Sequence, residues 1–159
     1  MNKLRIILSV LCLFTVTTLC RASEPAYVGH VRLGSSFESA LQSIVREFGE
    51  PTTKDASQII YKDKEYGGFT FDEIAFRFRN TKFNEARFTI RAAGKYQASR
   101  KVAELSQWLS KRYSISKDYD DGAYFYVGGL APSGIGRLFT IYRRKFDGVW
   151  HAVLRYGPF

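Results

Sequence analysis

The fold of this chain is decided by the stretch Glu73-Ile74-Ala75-Phe76-Arg77-Phe78-Arg79-Asn80-Thr81-Lys82-Phe83-Asn84-Glu85-Ala86-Arg87-Phe88-Thr89-Ile90-Arg91. Apolar residues recur at every second position on both sides of Asn80-Thr81, which is the period of a strand with one buried and one solvated face. The two-residue turn between the runs predicts a β-hairpin with strands at residues 73–79 and 82–91. One face of this hairpin is apolar, and the other carries arginines.

A helical period precedes the hairpin and returns after it. Apolar residues that follow Phe37 at helical spacing predict an amphipathic helix, and they are Leu41, Ile44, Val45 and Phe48. Ser35 and Glu38 match a capping box at the start of this helix, and Gly49 followed by Pro51 ends it. A second helix is predicted over residues 96–113, with an apolar side formed by Ala98, Val102, Leu105, Leu109 and Tyr113.

Further short strands with period two flank these elements. Two precede the hairpin, at residues 58–62 and 67–71, and three follow the second helix, at residues 122–127, 136–144 and 148–156. The fold class is therefore predicted as α+β, with two helices packed on an antiparallel sheet. The chain divides into two successive helix-then-strands units near Ala92-Ala93-Gly94, and an ancient duplication stays an open alternative.

The first 22 residues have the layout of a secretory signal peptide. Lys3 and Arg5 precede an apolar run over residues 6–14, and the small residue Ala22 ends the segment. This run is about half the length of ~20 residues that a membrane-spanning helix needs. Cleavage after Ala22 is predicted, which leaves residues 23–159 as a single α+β domain in the periplasm or outside the cell.

Cys20 offers a second processing route, because it lies where a bacterial lipoprotein carries its acylated cysteine. Such sites have a small residue just before the cysteine, and Leu19 argues against lipidation here. Lipid attachment through Cys20 would anchor the protein to a membrane, and this alternative stays open. Cys12 lies in the same segment, so the mature domain is predicted to lack thiols and to be held together by packing alone.

The charge pattern is not that of a nucleic-acid-binding tail. The chain carries 24 Lys and Arg against 15 Asp and Glu, for a net charge of +9, and the predicted signal contains three of the basic residues and no acidic ones, which leaves +6. The charges are interleaved, as in Lys62-Asp63-Lys64-Glu65, where a nucleic-acid tail would show a basic block. The excess suits contact with an anionic surface, although a solvated basic face is the simpler explanation.

No residue pattern carries a catalytic signature. The mature chain offers His30 and His151 as bases, and no Gly-x-Ser-x-Gly elbow accompanies them. Two distant histidines without thiols do not supply metal-ligand spacing, and no cofactor motif is present. Asp118-Tyr119-Asp120-Asp121-Gly122 resembles the start of a calcium loop but lacks its downstream glutamate, so a solvated turn is predicted. The alternative to a non-enzymatic protein is a small envelope hydrolase whose site is assembled only in the fold.

Candidate binding residues lie on the hairpin and in a glycine-rich segment. Arginine is enriched in protein interfaces, and one sheet face is predicted to carry Arg77, Arg79, Arg87 and Arg91. Residues 128–136 are predicted to form an exposed loop in which the backbone approaches a partner closely at Gly128, Gly129, Gly134 and Gly136. The structural alternatives are a plain solvated sheet face and a long hairpin connection.

One region resembles a known family. The residues that carry the resemblance are Val31-Arg32-Leu33-Gly34, Phe48-Gly49-Glu50-Pro51 at a helix end, Tyr61, Phe76-Arg77-Phe78 and Lys82-Phe83. Their spacing is similar to that of small outer-membrane assembly lipoproteins of the SmpA type and of β-lactamase-inhibitor-like α+β domains, over about a third of the chain. That family places two helices before its strands and carries a good lipobox, and this chain departs from it in both respects. The resemblance implies a non-enzymatic binding module of the bacterial envelope.

These observations predict the function at the level of a class. The chain is expected to be an exported binding module of the bacterial envelope. It would contact another protein or an anionic polymer through the arginine-bearing sheet face and the glycine-rich loop. No cofactor, metal ion or nucleic acid is expected, and no transmembrane span is expected in the mature chain.

Overall fold

The computed structural model describes residues 26–120 and 122–159. Its helices are α1 (Phe37–Phe48) and α2 (Lys95–Ser110). Its strands are β1 (Tyr27–Val28), β2 (Val31–Arg32), β3 (Thr53–Lys54), β4 (Gln58–Tyr66), β5 (Phe69–Arg79), β6 (Lys82–Ala92), β7 (Ile115–Asp120), β8 (Ala123–Leu130), β9 (Arg137–Phe146) and β10 (Val149–Tyr156). The strand pairs of the described residues are antiparallel. The α+β fold class predicted from the sequence is confirmed.

Eight strands form one sheet in the order β3-β4-β5-β6-β10-β9-β8-β7. In chain order, each helix is followed by four of these strands. The last strands of the two units, β6 and β10, pair in the middle of the sheet, where Phe88 lies opposite Leu154. β1 and β2 form a separate hairpin, and its Val28 and Val31 are buried in the same core. The sheet therefore consists of two four-stranded meanders that meet at their last strands.

Helix α1 begins one residue later than its sequence pattern predicts. The N-cap is Ser36, whose Oγ accepts a hydrogen bond from the backbone N–H of Ser39 at 3.4 Å. Ser35 precedes the helix because its backbone carbonyl accepts from the N–H of Phe83, which ties the chain to the start of β6. The end of α1 is as expected, since Gly49 has φ 78°, a left-handed conformation that favours glycine.

The core lies between the helices and one face of the sheet, and Phe88 of β6 is at its centre. The Phe88 ring is fully buried and contacts the rings of Phe48, Tyr66, Phe71, Phe76 and Tyr156 at centroid distances of 5.2 to 6.5 Å. Leu105 of α2 is also fully buried in this cluster. Both helical units are thus packed on the same aromatic centre, which stabilises them as one core.

The strands before the hairpin differ from the sequence prediction. The strands predicted at residues 67–71 and 73–79 are one continuous strand, β5. Gly67 and Gly68 form the turn before it, with φ 61° and 82°. Gly67 has a packing role as well, because a Cβ atom there would lie 2.2 Å from the Trp108 ring. Asp72, which lies between the two predicted strands, and Glu73, which begins the second, thus break the apolar alternation without breaking the strand.

Strand β7 was not predicted from the sequence. Most of its residues are exposed, and it forms the edge of the sheet. A largely exposed edge strand buries too little to show an apolar alternation, so the turn predicted over Asp118 to Gly122 was wrong for Asp118, Tyr119 and Asp120. The second helix is correspondingly shorter than predicted and ends at Ser110.

Residues 1–25 lie outside the described part of the chain. The predicted signal peptide and the lipidation alternative at Cys20 fall on these residues and stay predictions. Among the residues that the structure describes, no helix is both long enough and apolar enough to span a membrane.

Replacing Phe88 by alanine is expected to lower the free energy of unfolding by about 3 to 5 kcal/mol, because the variant leaves a cavity where five rings meet. The matched control is Phe146→Ala, which removes the same ring from a position that is 60% exposed and should change stability by less than about 0.5 kcal/mol. Urea unfolding of both variants measures the difference. Similar losses in the two variants would contradict the assignment of Phe88 to the centre of the core.

Two buried tyrosines and one half-buried tyrosine make stability depend on alkaline pH. Burial first, and then the charge of Glu50, raises the pKa of Tyr61 to about 12; burial likewise raises the pKa values of Tyr66 and Tyr156. Since the unfolded chain releases these protons near pH 10 and the folded chain retains them, stability should fall as pH rises from 10 towards 12.

Tyr61→Phe is expected to make that fall shallower. At neutral pH the same variant should lose about 1 kcal/mol, because the Tyr61 hydroxyl donates a 2.7 Å hydrogen bond to the carbonyl of Gly49. Urea unfolding at neutral and alkaline pH measures both effects. Tyr96→Phe, at a position that is 81% exposed, serves as the control, and the same pH slope in both variants would contradict the prediction.

Candidate functional site

Both helices contact the same face of the sheet. Phe48 of α1 packs on Phe76 and Phe88, and Trp108 of α2 packs on Tyr66, whose ring stacks on Phe88. The opposite surface, called here the open face, carries the alternate residues of the same strands. The period of two that buries one set of side chains therefore places the polar set together on the open face.

The register of the central strands aligns basic residues across the open face. Arg91 of β6 lies opposite His151 of β10, and His151 lies opposite Arg144 of β9. Arg87 likewise lies opposite Arg155. Neighbouring strands are about 4.8 Å apart, so each row brings basic groups from different parts of the sequence close to one another.

A groove of about 540 Å³ runs along the open face over strands β4, β5, β6, β10 and β9. Its basic lining residues are Lys62, Arg77, Arg87, Arg91, Arg144 and His151, and its acidic ones are Asp63, Asp72 and Glu73. Tyr142, Phe146 and Val153 add apolar surface. The groove is therefore mixed in charge with a basic excess.

Glu85 is the anchor of the arginines in the middle of the sheet. Its carboxylate is buried and accepts hydrogen bonds from Arg87 at 2.9 Å and from Arg155 at 2.8 Å. Arg77 is a third partner, with Nη1 3.7 Å from Oε1 of Glu85. Three guanidinium groups thus share one carboxylate, which leaves a local excess of two positive charges.

The hydrogen-bond capacity of this cluster is not fully used. Nε of Arg87 and Nε of Arg155 are buried and have no hydrogen-bond partner among the described residues. Because these two atoms are shielded from solvent and make no hydrogen bond, burying them costs free energy. The hydrogen bonds from the same two arginines to Glu85 must offset this cost. Glu85 therefore holds the cationic groups in place, and its removal would leave them facing one another.

Basic groups towards the β9–β10 turn are less well neutralised. Lys62 forms an ion pair with Glu73. The Nε atom of Arg91 is 4.0 Å from Asp72, and its side chain is 68% exposed. Arg144 and His151 form no ion pair or hydrogen bond through their side chains within the described part of the chain. The row of Arg91, His151 and Arg144, called here the basic row, is thus the part of the groove most available to an anionic partner.

The four arginines predicted from the sequence have different surroundings. Arg77, Arg87 and Arg91 line the groove, whereas Arg79 is exposed opposite Lys82 at the end of the hairpin. Sequence reasoning missed Glu85, Arg144 and Arg155 as parts of the same site. The period of two was a usable signal, since it places Arg144 on the face opposite to Ile141, and Arg155 on the face opposite to Leu154, in predicted strands.

The predicted glycine-rich loop is shorter than residues 128–136. Gly128 and Gly129 belong to β8. They are required for packing, because a Cβ atom would lie 2.6 Å from Cζ of Phe139 at Gly128 and 2.7 Å from Cβ of Leu138 at Gly129. Gly134 and Gly136 do lie in the turn between β8 and β9, with φ 75° and 91° and open space around them. Only this second pair lies in an exposed turn.

The two histidines lie far apart in the fold. His30 follows β1, where its Nδ1 is 3.4 Å from the Glu47 carboxylate of α1. His151 lies in the groove with Asp72, and no hydrogen bond or ion pair joins the two in the part of the chain that the structure describes. Over the same residues, no cluster of three His, Cys, Asp or Glu side chains is placed to hold a metal ion.

Comparisons of the chain with protein-family models, with curated proteins and with solved structures find no match. The resemblance to SmpA-type lipoproteins and β-lactamase-inhibitor-like domains stays a prediction from residue spacing. The interpretation of the site therefore depends on its own geometry.

Glu85→Gln is expected to lower the free energy of unfolding by about 3 kcal/mol, because three arginines lose their shared buried counter-charge. Glu73→Gln removes the same charge from a partly exposed pair with Lys62 and should cost less than about 1 kcal/mol. Urea unfolding at low and high salt compares the two variants, and salt should partly restore Glu85→Gln by screening the arginines. Equal losses in both variants would show that Glu85 does not hold the cluster together.

Proposed function

We propose that this protein is an exported, non-enzymatic binding module of the bacterial envelope that holds an anionic partner, either a protein or a polymer, on the open face of its sheet. The observation that carries the proposal is the basic row. Export is supported by the layout of the first 22 residues. The binding role is supported by the charge, the contact surface and the length of the groove.

Charge is the first support. Two of the three acids that line the groove already have basic partners, since Glu73 pairs with Lys62 and Asp72 contacts Arg91. Arg144 has no acidic partner among the described residues, and it lies across His151 from Arg91. Like charges held close together in a concave surface attract anions, and this attraction weakens with salt.

Contact surface is the second support. Phe146 is 60% exposed beside the basic row, and the partly exposed Tyr142 lies in the neighbouring row of the groove. Protein interfaces combine aromatic residues with arginine at their centres. A partner that pairs its acids with the basic row would also bury this apolar surface.

The geometry of β9 favours a macromolecular partner over a small molecule. The glycine-containing turn precedes Arg137 at the start of β9, whereas Arg144 lies near its end. Seven residues of extended strand span about 23 Å. A partner that contacts both the turn and the basic row must therefore be extended over at least this length.

The hydrolase alternative would use His151 as a base with Asp72 as its carboxylate partner. Both residues line the groove. However, His151 lies between two arginines in the register, and Asp72 is already contacted by Arg91. A base needs a partner that orients it, so this arrangement supports binding better than catalysis.

The test compares two double charge reversals in the full-length chain, purified from the periplasmic extract of a bacterial host. Arg91→Glu with Arg144→Glu changes the basic row, and Arg46→Glu with Lys111→Glu changes two exposed cations of the helical layer by the same amount. Affinity for dextran sulfate, as a defined anionic polymer, is measured by titration at several salt concentrations. Capture of partners from envelope extract is compared in parallel.

The basic-row variant is expected to lose at least about tenfold in affinity and to have a weaker salt dependence, while the control variant retains both. Equal losses in the two variants would show that only net charge matters and would contradict a site in the groove. Recovery of the chain from the cytosol alone, still beginning at Met1, would contradict export.

A further inference from the structure

The ladder between β8 and β9 ends halfway along the strands. Its last pair joins Tyr126 to Ile141, although β8 begins at Ala123 and β9 continues to Phe146. At this end of the sheet, β8 stays paired with β7, and β9 stays paired with β10, as far as their hairpin turns. The two hairpins therefore diverge. Within the described residues, the edge of residues 142–146 that faces β8 has no strand partner.

The gap between the diverging hairpins, called here the slot, has a volume of about 560 Å³. Its lining includes Arg144, whose side chain belongs to the open face, and the adjacent Arg143 and Lys145, which belong to the opposite face. A free edge of five residues is about 16 Å long. It presents backbone N–H and C=O groups at the spacing of a sheet, which is a template for an added strand.

Arg143 bridges the slot. Its guanidinium donates to the hydroxyl of Ser99 on α2 and, at 2.9 Å, to the carbonyl of Gly122 at the tip of the β7–β8 hairpin. The tip of that hairpin is thus held by a side chain instead of by a ladder to β9. The same guanidinium lies 5.9 Å from the centre of the Trp150 ring, which fixes it further.

The slot has a basic and aromatic lining. The described lining residues include four cationic side chains, Lys95, Arg143, Arg144 and Lys145, against one carboxylate, that of Asp120. Tyr124, which is 56% exposed, and Trp150 stand beside them. An added segment with acidic side chains would neutralise these cations, and the aromatic rings would cover its apolar positions.

We propose that the slot binds an extended, acidic segment of a partner polypeptide, which adds as a strand to residues 142–146 of β9. The backbone of the segment completes the ladder that β8 leaves unfinished. Its acidic side chains face the slot cations, and its alternate side chains lie against Tyr124 and Trp150. This site is separate from the groove, although Tyr142 and Arg144 line both.

The probe is a synthetic five-residue peptide of alternating glutamate and valine with blocked ends, added to the full-length chain. Hydrogen exchange of backbone amides reports where it binds. We expect amides within residues 142–146 to exchange at least about tenfold more slowly when the peptide is bound, because pairing removes them from solvent. A peptide with N-methylated alternate amides, which cannot donate to the edge, should not protect them.

Variants separate this site from the groove. Lys95→Glu with Lys145→Glu should weaken peptide binding at least about tenfold; Lys95→Glu places an acid in the first turn of α2, which favours the helix. Arg91→Glu, which changes only the groove, should leave peptide binding unchanged. If it instead abolishes peptide binding, the peptide binds in the groove and the slot proposal is overturned while the groove proposal stands.

Three other results would overturn the proposal. The first is that the N-methylated peptide binds as well as the unmodified one. The second is that amide exchange within residues 142–146 does not change when the peptide is added. The third is that the chain does not bind the peptide and sedimentation shows it to be a dimer. The last result would assign the free edge to self-association. Retained polymer binding in the slot variant, together with lost peptide binding, would confirm that the two sites are independent.

Discussion

The pairing of β6 with β10 is the interaction on which the rest of the structure depends. These two strands end the two helix-and-strand units, and their seven aligned positions join two meanders into one sheet. The pair of Phe88 with Leu154 places apolar side chains from both units under both helices. The pair of Arg87 with Arg155 places two cations together on the open face. One register therefore fixes the core and the charge of the site at once.

The buried carboxylate of Glu85 follows from that constraint. Two arginines forced together by the central pairing repel each other, and an apolar residue between them would leave the repulsion in place. The carboxylate of Glu85, two residues before Arg87 on β6, offers each arginine a charge-assisted hydrogen bond. Because half-buried arginines lose hydration, they need this acid for stability more than an exposed pair would. The central cluster is therefore structural, and the proposed binding site lies at its less neutralised end.

The sequence was sufficient for the elements that bury one face and insufficient for those that do not. Alternation around Phe76 and Phe88 gave the hairpin, and the stripe ending at Phe48 gave α1, because burial imposes a period. Strand β7 has no such period, so it was missed. The partners of Glu85 were beyond sequence reasoning for a different reason. Arg155 is 70 positions away, and only the register between the two units shows that they meet.

The two units also differ in a way that bears on function. In the first unit the ladder between the second and third strands of the meander reaches both ends of β4, from Gln58–Arg77 to Tyr66–Phe69, and skips only Asp63. In the second unit the equivalent ladder, between β8 and β9, stops at Tyr126–Ile141. Each missing pair leaves backbone N–H and C=O groups without a partner in the sheet, which is unfavourable for the sheet itself. The shortened ladder concentrates free backbone groups, cations and aromatic rings in the second unit only. The β4–β5 ladder shows that this topology permits a ladder that reaches both ends of a strand. The gap between β8 and β9 is therefore a property of the residues of the second unit and not of the fold.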